Sequence, residues 1–482
     1  MSALAQTADA DPRFENATIA DMKRIFAKQQ KTAIRWRTST ASERIDRLNR
    51  LRDAMIKYED RIKAACAADF GKPETEVELA EIIPVLAEIK SVKSHLKSWM
   101  KGERVWPTMM MLGTKTRVRY EPKGVSLIIA PWNYPVNLSL MPLVPALAAG
   151  CTAILKPSEL TPACSELLKA LVAETFDEAE VAVVEGAVDE TTALLDLPFD
   201  HIFFTGSPAV GKIIMAAAAK NLTSVTLELG GKSPTIVDET ADVERAAKGI
   251  NFGKFMNAGQ TCIAPDYLFV HASKKDAFIK AAAKHLEDTY GKDGTQSPDF
   301  AKIVNERHFE RVSAILKDAT DNGAVVATGG IVNTEQRSIA PTLVDAVPMD
   351  ARIMQEEIFG PLLPVIPYTD IQEVIDYINA RPKPLGLYVY SNNRKTINKV
   401  IEETSAGGSC INTCTLQYLH MNAPFGGVNN SGIGSSHGKW GFKAFSHERT
   451  VMENKFSASL LMAPPYTNFV KRLIAFMKAT VK

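Results

Sequence analysis

Cysteine is scarce in this chain: Cys66, Cys151, Cys164, Cys262, Cys410 and Cys414 are the only six in 482 residues. That is too few for a disulfide scaffold, and a reducing cytoplasm fits best. Excess charge of one sign is absent as well. Lys and Arg number 56 against 55 Asp and Glu, a net +1, so nothing in the charge balance calls for nucleic acid as a partner. No apolar run reaches the length of a membrane span. Met1 to Asp21 lacks a basic n-region and an apolar core and carries Asp9, Asp11 and Glu15 instead, so it does not read as a secretory signal. Cys410 and Cys414 have a spacing that occurs in zinc sites, but no second Cys/His pair matches it, and no metal is expected. Internal repeats, low-complexity tracts and long linkers are also missing.

What is present is a soluble composition, 46% hydrophobic and 23% charged, on a chain too long for one ordinary core. Two or three domains are expected. From Ile19 to Trp99 apolar residues recur at three and four, the spacing of amphipathic helices. After Pro107 the period changes to two: Thr116, Val118 and Tyr120 alternate with Arg117, Arg119 and Glu121, which reads as a strand with one exposed face. Buried strands follow at Val125–Ala130, Thr152–Leu155, Glu180–Val184, His201–Phe204 and Val225–Leu227, with a helix at Pro142–Ala149 ended by Gly150. This alternation implies a parallel, doubly wound α/β sheet. From about Gly231 it restarts with strands at Thr235–Val237, Tyr267–Val270, Ala324–Thr328 and Leu362–Tyr368. Helices are expected at Val243–Phe252, Lys274–Leu286 and Phe309–Asp321, making a second α/β unit with a cleft between the two.

Several segments carry the residue types of a reactive site. Cys262 ends the polar, glycine-containing turn Asn257-Ala258-Gly259-Gln260-Thr261-Cys262, an unusual setting for a residue that normally behaves as a small buried hydrophobe. Glu228 stands upstream in Leu227-Glu228-Leu229-Gly230-Gly231-Lys232, and a thiol plus such an acid fits covalent catalysis followed by hydrolysis. Asn133, in Pro131-Trp132-Asn133-Tyr134-Pro135, offers amide donors for a developing oxyanion, although a structural Asn in a turn is the plainer reading. Gly206-Ser207-Pro208-Ala209-Val210-Gly211-Lys212 opens a helix after a strand, where backbone N–H groups and the helix dipole favour a phosphate. It nearly matches a Walker A loop, but Ile213 stands where Ser or Thr should hold magnesium, and it fails the G-x-G-x-x-G fingerprint. A tight strand–helix turn would use the same glycines. Lys156-Pro157-Ser158-Glu159 ends a strand, where Lys and Glu can address ribose hydroxyls. Gln355-Glu356-Glu357-Ile358-Phe359-Gly360-Pro361 and Pro424-Phe425-Gly426-Gly427 are further loops that turn chemistry alone would also explain.

Taken together, in this order, the segments PWNYP, KPSE, FTGS-x-x-VG, LELGGK, GQTC, EEIFGP and PFGG-x-x-x-SG-x-G resemble the aldehyde dehydrogenase superfamily from roughly Glu76 to His447. Ser431-Gly432-Ile433-Gly434, His437-Gly438-Lys439, Phe445-Ser446-His447 and the tail Pro464-Pro465-Tyr466-Thr467 are most similar to its class 3 branch, near bacterial benzaldehyde and coniferyl aldehyde dehydrogenases. The resemblance implies an aldehyde dehydrogenase-like α/β fold in three parts. A Rossmann-like cofactor domain would span 1–113 and 124–230, and an α/β catalytic domain 231–410. A small bridging sheet would use 114–123 and 435–460, leaving 461–482 as a C-terminal tail. Homodimers would form through the bridge.

Carried over residue by residue, the resemblance makes Cys262 the nucleophile, Asn133 with the Cys262 N–H the oxyanion site, and Glu228 the base that activates water. Lys156 and Glu159 would contact the adenosine ribose, Gly206, Ser207 and Gly211 the pyrophosphate, Glu357 the nicotinamide ribose, and Phe359 the nicotinamide ring. The expected reaction is NAD-dependent oxidation of an aromatic or medium-chain aldehyde to the acid, with NADP also accepted. The carboxylate of Glu159 favours NAD, since it would repel a 2′-phosphate. Acyl transfer to coenzyme A is the alternative, and Glu228 argues against it; a catalytically silent relative is the other, and the intact Cys262, Glu228 and Asn133 argue against that. Trp132, Tyr134, Tyr418 and Met421 are candidates to line an apolar substrate tunnel. Phe469, Val470, Leu473, Ile474 and Met477 share one helical face beside Lys471, Arg472 and Lys478. That face reads as a docking helix, or alternatively as an interfacial membrane anchor.

Overall fold

A computed structural model of the chain describes residues 17–108, 111–456 and 462–481. The acidic stretch with Asp9, Asp11 and Glu15, and positions 457–461 at the end of the expected bridge and start of the tail, lie outside them. The helical N-terminal pattern folds as Ile19–Trp36, Ala41–Lys57, Glu59–Phe70 and Ile83–Trp99. Thr40 and Glu43 close the start of the second helix with a reciprocal capping box. A π-helical turn, Glu78–Ile82, precedes the fourth.

The first large sheet contains β1 (Val125–Ile129), β2 (Thr152–Lys156), β3 (Val181–Val183), β4 (His201–Gly206) and β5 (Ser224–Leu229). Its order is β5-β4-β1-β2-β3, all parallel, with the short antiparallel strand Gly432–Ile433 added beside β5. The chain therefore winds one way from β1 and then the other way from β4. Ligands in such sheets bind at the strand C-termini where the winding reverses, here the ends of β1 and β4. The second sheet contains β6 (Ser233–Val237), β7 (Pro265–His271), β8 (Val325–Thr328), β9 (Thr342–Asp345), β10 (Leu362–Tyr368), β11 (Gly386–Tyr390) and β12 (Gly408–Ile411), in the order β8-β9-β10-β7-β6-β11-β12. Only the β8–β9 pairing is antiparallel.

β5 ends at Leu229 and β6 begins at Ser233, with only Gly230, Gly231 and Lys232 between them. The C-terminal edge of one sheet thus runs straight into the N-terminal edge of the other. The loops after β1 and β4, and those before β7, β10 and β11, gather at this junction. Pairing of Gly432 with Glu228 stitches a third segment into it.

The helix expected at Pro142–Ala149 begins earlier, at Asn137, and holds Pro142 and Pro145 inside it. Every residue of that helix except Leu138 is buried, so it has no amphipathic period to read, and proline suggested a start rather than an interior. A separate three-stranded antiparallel sheet joins Glu103–Val105, Thr114–Pro122 and Ser446–Asn454. Thr116 and Tyr120 are buried and Arg117 and Arg119 exposed, as the alternation required. The C-terminal helix, Asn468–Val481, splits its expected apolar face: Val470 is buried and Leu473 and Met477 half-buried, while Phe469 and Ile474 face solvent. Among the described residues no helix is long and apolar enough to cross a membrane.

A Cβ placed on Gly427 would lie 1.9 Å from the carbonyl oxygen of Ser431, a backbone atom that cannot swing aside. Gly427→Ala is expected to cost about 2–3 kcal/mol of stability and to lower the thermal midpoint measurably. An unchanged melt would show that this loop is not the tight backbone clamp described.

Candidate active site

Cys262 is delivered by a strained turn. Asn257, Ala258 and Gly259 take φ of 54°, 51° and 74°, three left-handed residues in succession, the first two of them non-glycine. Gly259 presses against the Gly360 carbonyl, which a Cβ would approach to 2.3 Å. Buried amides hold the turn from beneath. Asn133 Nδ2 donates to the Gln260 carbonyl at 2.9 Å, and Asn257 Nδ2 donates to the Asn133 carbonyl at 2.8 Å. The Gln260 side chain donates to the carbonyls of Asn257 and Lys302, at 3.0 Å each, and accepts from the Val304 N–H. Asn133 keeps its second amide N–H outside these bonds. Tyr134 Oη pairs with Thr261 Oγ1 at 2.7 Å, next to the cysteine.

Two cavities meet at Cys262. One, of about 120 Å³, is almost wholly apolar, with Tyr134, Phe252, Met256, Leu416, Tyr418 and Leu419 in its wall. The other, of about 30 Å³, includes Glu228, Ser436 and His437. It has room for a water molecule. Tyr134 and Tyr418 therefore stand where the sequence placed them, but Trp132 and Met421 do not line the apolar cavity. Trp132 is turned away, with its ring 4.9 Å from His308 and 5.3 Å from Phe359. The wall residues Phe252, Met256 and Leu416 belong to segments with no motif to flag them.

Glu228 is buried. Its Oε1 accepts from Ser436 Oγ at 3.1 Å, and its Oε2 is buried with no partner. Burial pushes the carboxyl up to about 8, and the Ser436 hydrogen bond opposes this only in part. Nothing in the spacing pointed to Ser436, because a strand pairing 200 residues downstream brings it in. Burial also pushes the Cys262 thiol up to about 12, helped by the nearby Glu357 and Glu228 carboxylates and opposed by the backbone N–H groups of Cys262 and Ile263. Cys262 rests as a neutral thiol. Burial drives His437 down to about 3, so its ring is a neutral wall, stacked on Phe425 at 5.2 Å.

Glu357 is folded inward. Its carboxylate occupies the space left by the missing side chain of Gly230, where a Cβ would sit 2.5 Å from Oε2, and the Gly231 N–H donates to it. Burial raises it to about 7, and Asp266 adds to the effect. Its loop is anchored by Lys232, which donates to the carbonyls of Ile353 and Glu356 at 2.8 Å each, and by Arg311, which donates to the carbonyls of Glu357 and Ile358. Phe359 follows with φ of 45°.

The remaining expected site residues line the C-terminal edge of the first sheet. Lys156 ends β2, buried, with Nζ 2.8 Å from the Pro157 carbonyl and 3.5 Å from Glu159. Ser207 caps the helix Pro208–Ala219 by accepting from the Val210 N–H. Gly206 and Gly211 are packing glycines: a Cβ would meet the Phe204 ring at 2.5 Å and the Leu229 side chain at 2.7 Å. Lys212 is exposed, unlike the lysine of a phosphate loop that reaches inward. Among the described residues no group of three or more His, Cys, Asp or Glu could hold a metal ion. Cys410 bonds Gln417 and Cys414 bonds the Gly249 carbonyl.

The sequence matches the model of the aldehyde dehydrogenase family over residues 6–451. The chain belongs to the aldehyde dehydrogenase family. It is similar to the 4,4'-diaponeurosporen-aldehyde dehydrogenase of Staphylococcus aureus, at 45% identity over 95% of this chain and 98% of that one. It is also similar to the dimeric NADP-preferring aldehyde dehydrogenase of Rattus norvegicus, at 44% identity over 86% and 91%. A solved structure, the substrate-bound state of a Staphylococcus aureus AldH, superposes with a TM-score of 0.91 at 44% identity, covering 95% of this chain and 99% of that one. As a member of this family the chain is an oxidoreductase that converts aldehydes to acids with NAD or NADP.

A carboxyl at about 8 is protonated at neutral pH and becomes a base only as pH rises through that value. Turnover at saturating substrate should therefore rise between pH 6 and pH 9 with a midpoint near 8, and Glu228→Gln should remove that limb. A flat profile in the unaltered enzyme would contradict the assignment.

Proposed function

We propose that Cys262 attacks an apolar aldehyde, aromatic or medium-chain aliphatic, and that Glu228 directs the resulting thioester to hydrolysis. The observation that carries this is the position of Cys262 between an apolar cavity and a small one holding a buried, half-partnered carboxyl. The Cys262 sulfur bonds to the aldehyde carbon from the apolar side. Its proton leaves to the ionised Glu357 carboxylate, the larger of the two carboxylate influences on the thiol, which keeps Glu228 free for the later step. The free amide N–H of Asn133 and the Cys262 backbone N–H stabilise the oxyanion, donating charge stabilisation without a proton. NAD or NADP, when bound, would supply the hydride acceptor that oxidation of the adduct to a thioester requires. Ionised Glu228 Oε2 then takes a proton from water in the smaller cavity as that water attacks the acyl carbon, and the acid leaves as the freed thiolate takes back the proton held by Glu357. Acyl transfer to coenzyme A would give a buried base at this spot no task.

Fit to the cofactor is supported by the helix N-terminus behind Ser207 and by the two glycines that keep the β4 turn flush with the sheet. Lys156 and Glu159 would hold the adenosine ribose, Gly206, Ser207 and Gly211 would accommodate the pyrophosphate, and Glu357 with Phe359 would take the nicotinamide riboside once Glu357 swings out. Glu159 favours NAD over NADP through its charge. The same reading divides the chain into a cofactor unit (1–113 and 124–230), a catalytic unit (231–410), a bridge (114–123 and 435–460) and a tail (461–482), with Glu103–Val105 joined to the bridge. A reducing cytoplasm suits six free thiols.

Oxidation of benzaldehyde and decanal should proceed with both cofactors, with higher kcat/KM for NAD. Cys262→Ala should abolish it, whereas Glu228→Gln should give one rapid turnover and then a rate at least about a hundredfold slower. Activity in Cys262→Ala, or wild-type turnover in Glu228→Gln, would sink the mechanism. We also infer a homodimer formed through the three-stranded sheet, whose rim leaves Trp106 and Phe456 75% and 83% exposed. Light scattering should return twice the 52.7 kDa chain mass, and a monomer at micromolar concentration would contradict it.

A further inference from the structure

Beneath the oxyanion loop lies an ion pair that the mechanism above does not use. Lys72 and Glu81 have fully buried side chains, with Nζ 2.7 Å from Oε1. Removing two such charges from water costs more than their attraction usually returns, and an apolar pair of similar volume would serve stability as well or better. What distinguishes this pair is where its remaining bonds go. Lys72 Nζ donates to the Asn133 carbonyl at 3.1 Å and stands 4.2 Å over the Tyr134 ring. Glu81 Oε2 accepts from the N–H groups of Val136 and Asn137 at 3.2 and 2.8 Å. Asn137 in turn donates to the Ala80 carbonyl and accepts from Tyr418 Oη in the apolar cavity. One ion pair therefore grips both ends of the segment 133–137.

Glu81 is carried by the π-helical turn Glu78–Ile82, which also presents Leu79 and Ala80 to the apolar cavity. Such turns insert an extra residue into a helix and commonly mark functional positions. A second buried carboxyl, Glu76, bonds the Asn257 N–H in the left-handed turn and leaves its Oε1 without a partner. Burial works against the Lys72 charge, yet Glu81 beside it leaves the ammonium held above its ordinary range. Lys72 stays charged.

We propose that Lys72 and Glu81 are positioning residues for the oxidation step, fixing the Asn133 amide against Cys262 and the Tyr134 and Tyr418 walls around the aldehyde. This rests on the reading of Cys262 and Asn133 as the reacting and stabilising groups. The link is mechanical: the Asn133 carbonyl is held by Lys72 and Asn257 together, so losing one donor frees the amide to rotate out of line. Misplacement of a stabilising group by an ångström reduces a rate by up to about a hundredfold.

The test compares Lys72→Met, Glu81→Gln and the double variant Lys72→Met/Glu81→Leu with the unaltered enzyme. Thermal melting establishes folding, and stopped-flow absorbance follows the first turnover of NAD with benzaldehyde. The single variants should melt earlier, and the double variant should recover much of that loss. All folded variants should keep the KM for benzaldehyde within about threefold while the first-turnover rate constant falls about ten- to a hundredfold. A double variant that is stable and has the wild-type first-turnover rate would overturn the proposal, since the pair would then serve the fold alone. A rise in KM with an unaltered rate constant would overturn it too. Cys262→Ala separates the two readings: a first turnover in that variant discredits the cysteine mechanism itself, whatever the Lys72 and Glu81 variants do.

Discussion

Three buried side-chain amides, Asn133, Asn257 and Gln260, tie the loop that follows β1 to the turn that precedes β7. Each end of this web belongs to a different sheet. Asn133 and Cys262 sit on segments from different sheets, and this web, with the Tyr134–Thr261 hydrogen bond, fixes their alignment. The bonds are buried, where a lost partner leaves an unsatisfied group, so each one matters to the arrangement. The left-handed backbone at Asn257 and Ala258 is sustained by the same web, and the strain it stores is the cost of aiming Cys262 into the junction.

That junction explains why the chemistry needs two sheets. The first supplies its C-terminal edge, where sheets of this winding bind ligands, and its last parallel strand carries Glu228. The second supplies its N-terminal edge, with Cys262 and the loop of Glu357. Only the Gly230–Lys232 link separates the edges. The paired glycines serve two purposes there: they let the backbone turn, and Gly230 leaves the space into which the Glu357 carboxylate folds. Burial then sets the electrostatics. The Cys262 thiol is raised to about 12 and the Glu228 and Glu357 carboxyls to about 8 and 7, burial being the largest cause in each, and both carboxylates act on the thiol through space.

Much of this was legible in the sequence, and the misses have physical causes. Strands buried on both faces stood out as short apolar runs, and glycine-rich junctions marked the turns between them. Cys262 and Glu228 drew notice because each sits in a segment whose local composition is odd for a core, and Asn133 was set apart from a structural turn residue only by the family resemblance. The structure brings the Asn133 loop and the Glu228 cavity to the Cys262 turn. Helix Asn137–Ala149 lost its first turn because it is buried all round and carries two prolines. Ser436 and the Lys72–Glu81 pair were invisible for a different reason. Their roles come from contacts across long sequence separations, and a serine after a serine or a lysine before a proline looks like any surface turn. The tunnel wall was half right, since Tyr134 and Tyr418 neighbour the reacting turn directly while Trp132 pairs with His308 and Phe359 instead.

The central claim is that the acyl group passes through Cys262 on the way to the acid. Trapping it is the most direct measurement. Glu228→Gln would be mixed with NAD and benzaldehyde, quenched in acid within seconds, digested and mapped by mass spectrometry. The account predicts a benzoyl mass on the peptide containing Cys262, in proportion to the reduced cofactor formed. Reduced cofactor with no acyl mass on that peptide, or an acyl mass on another residue, would contradict it.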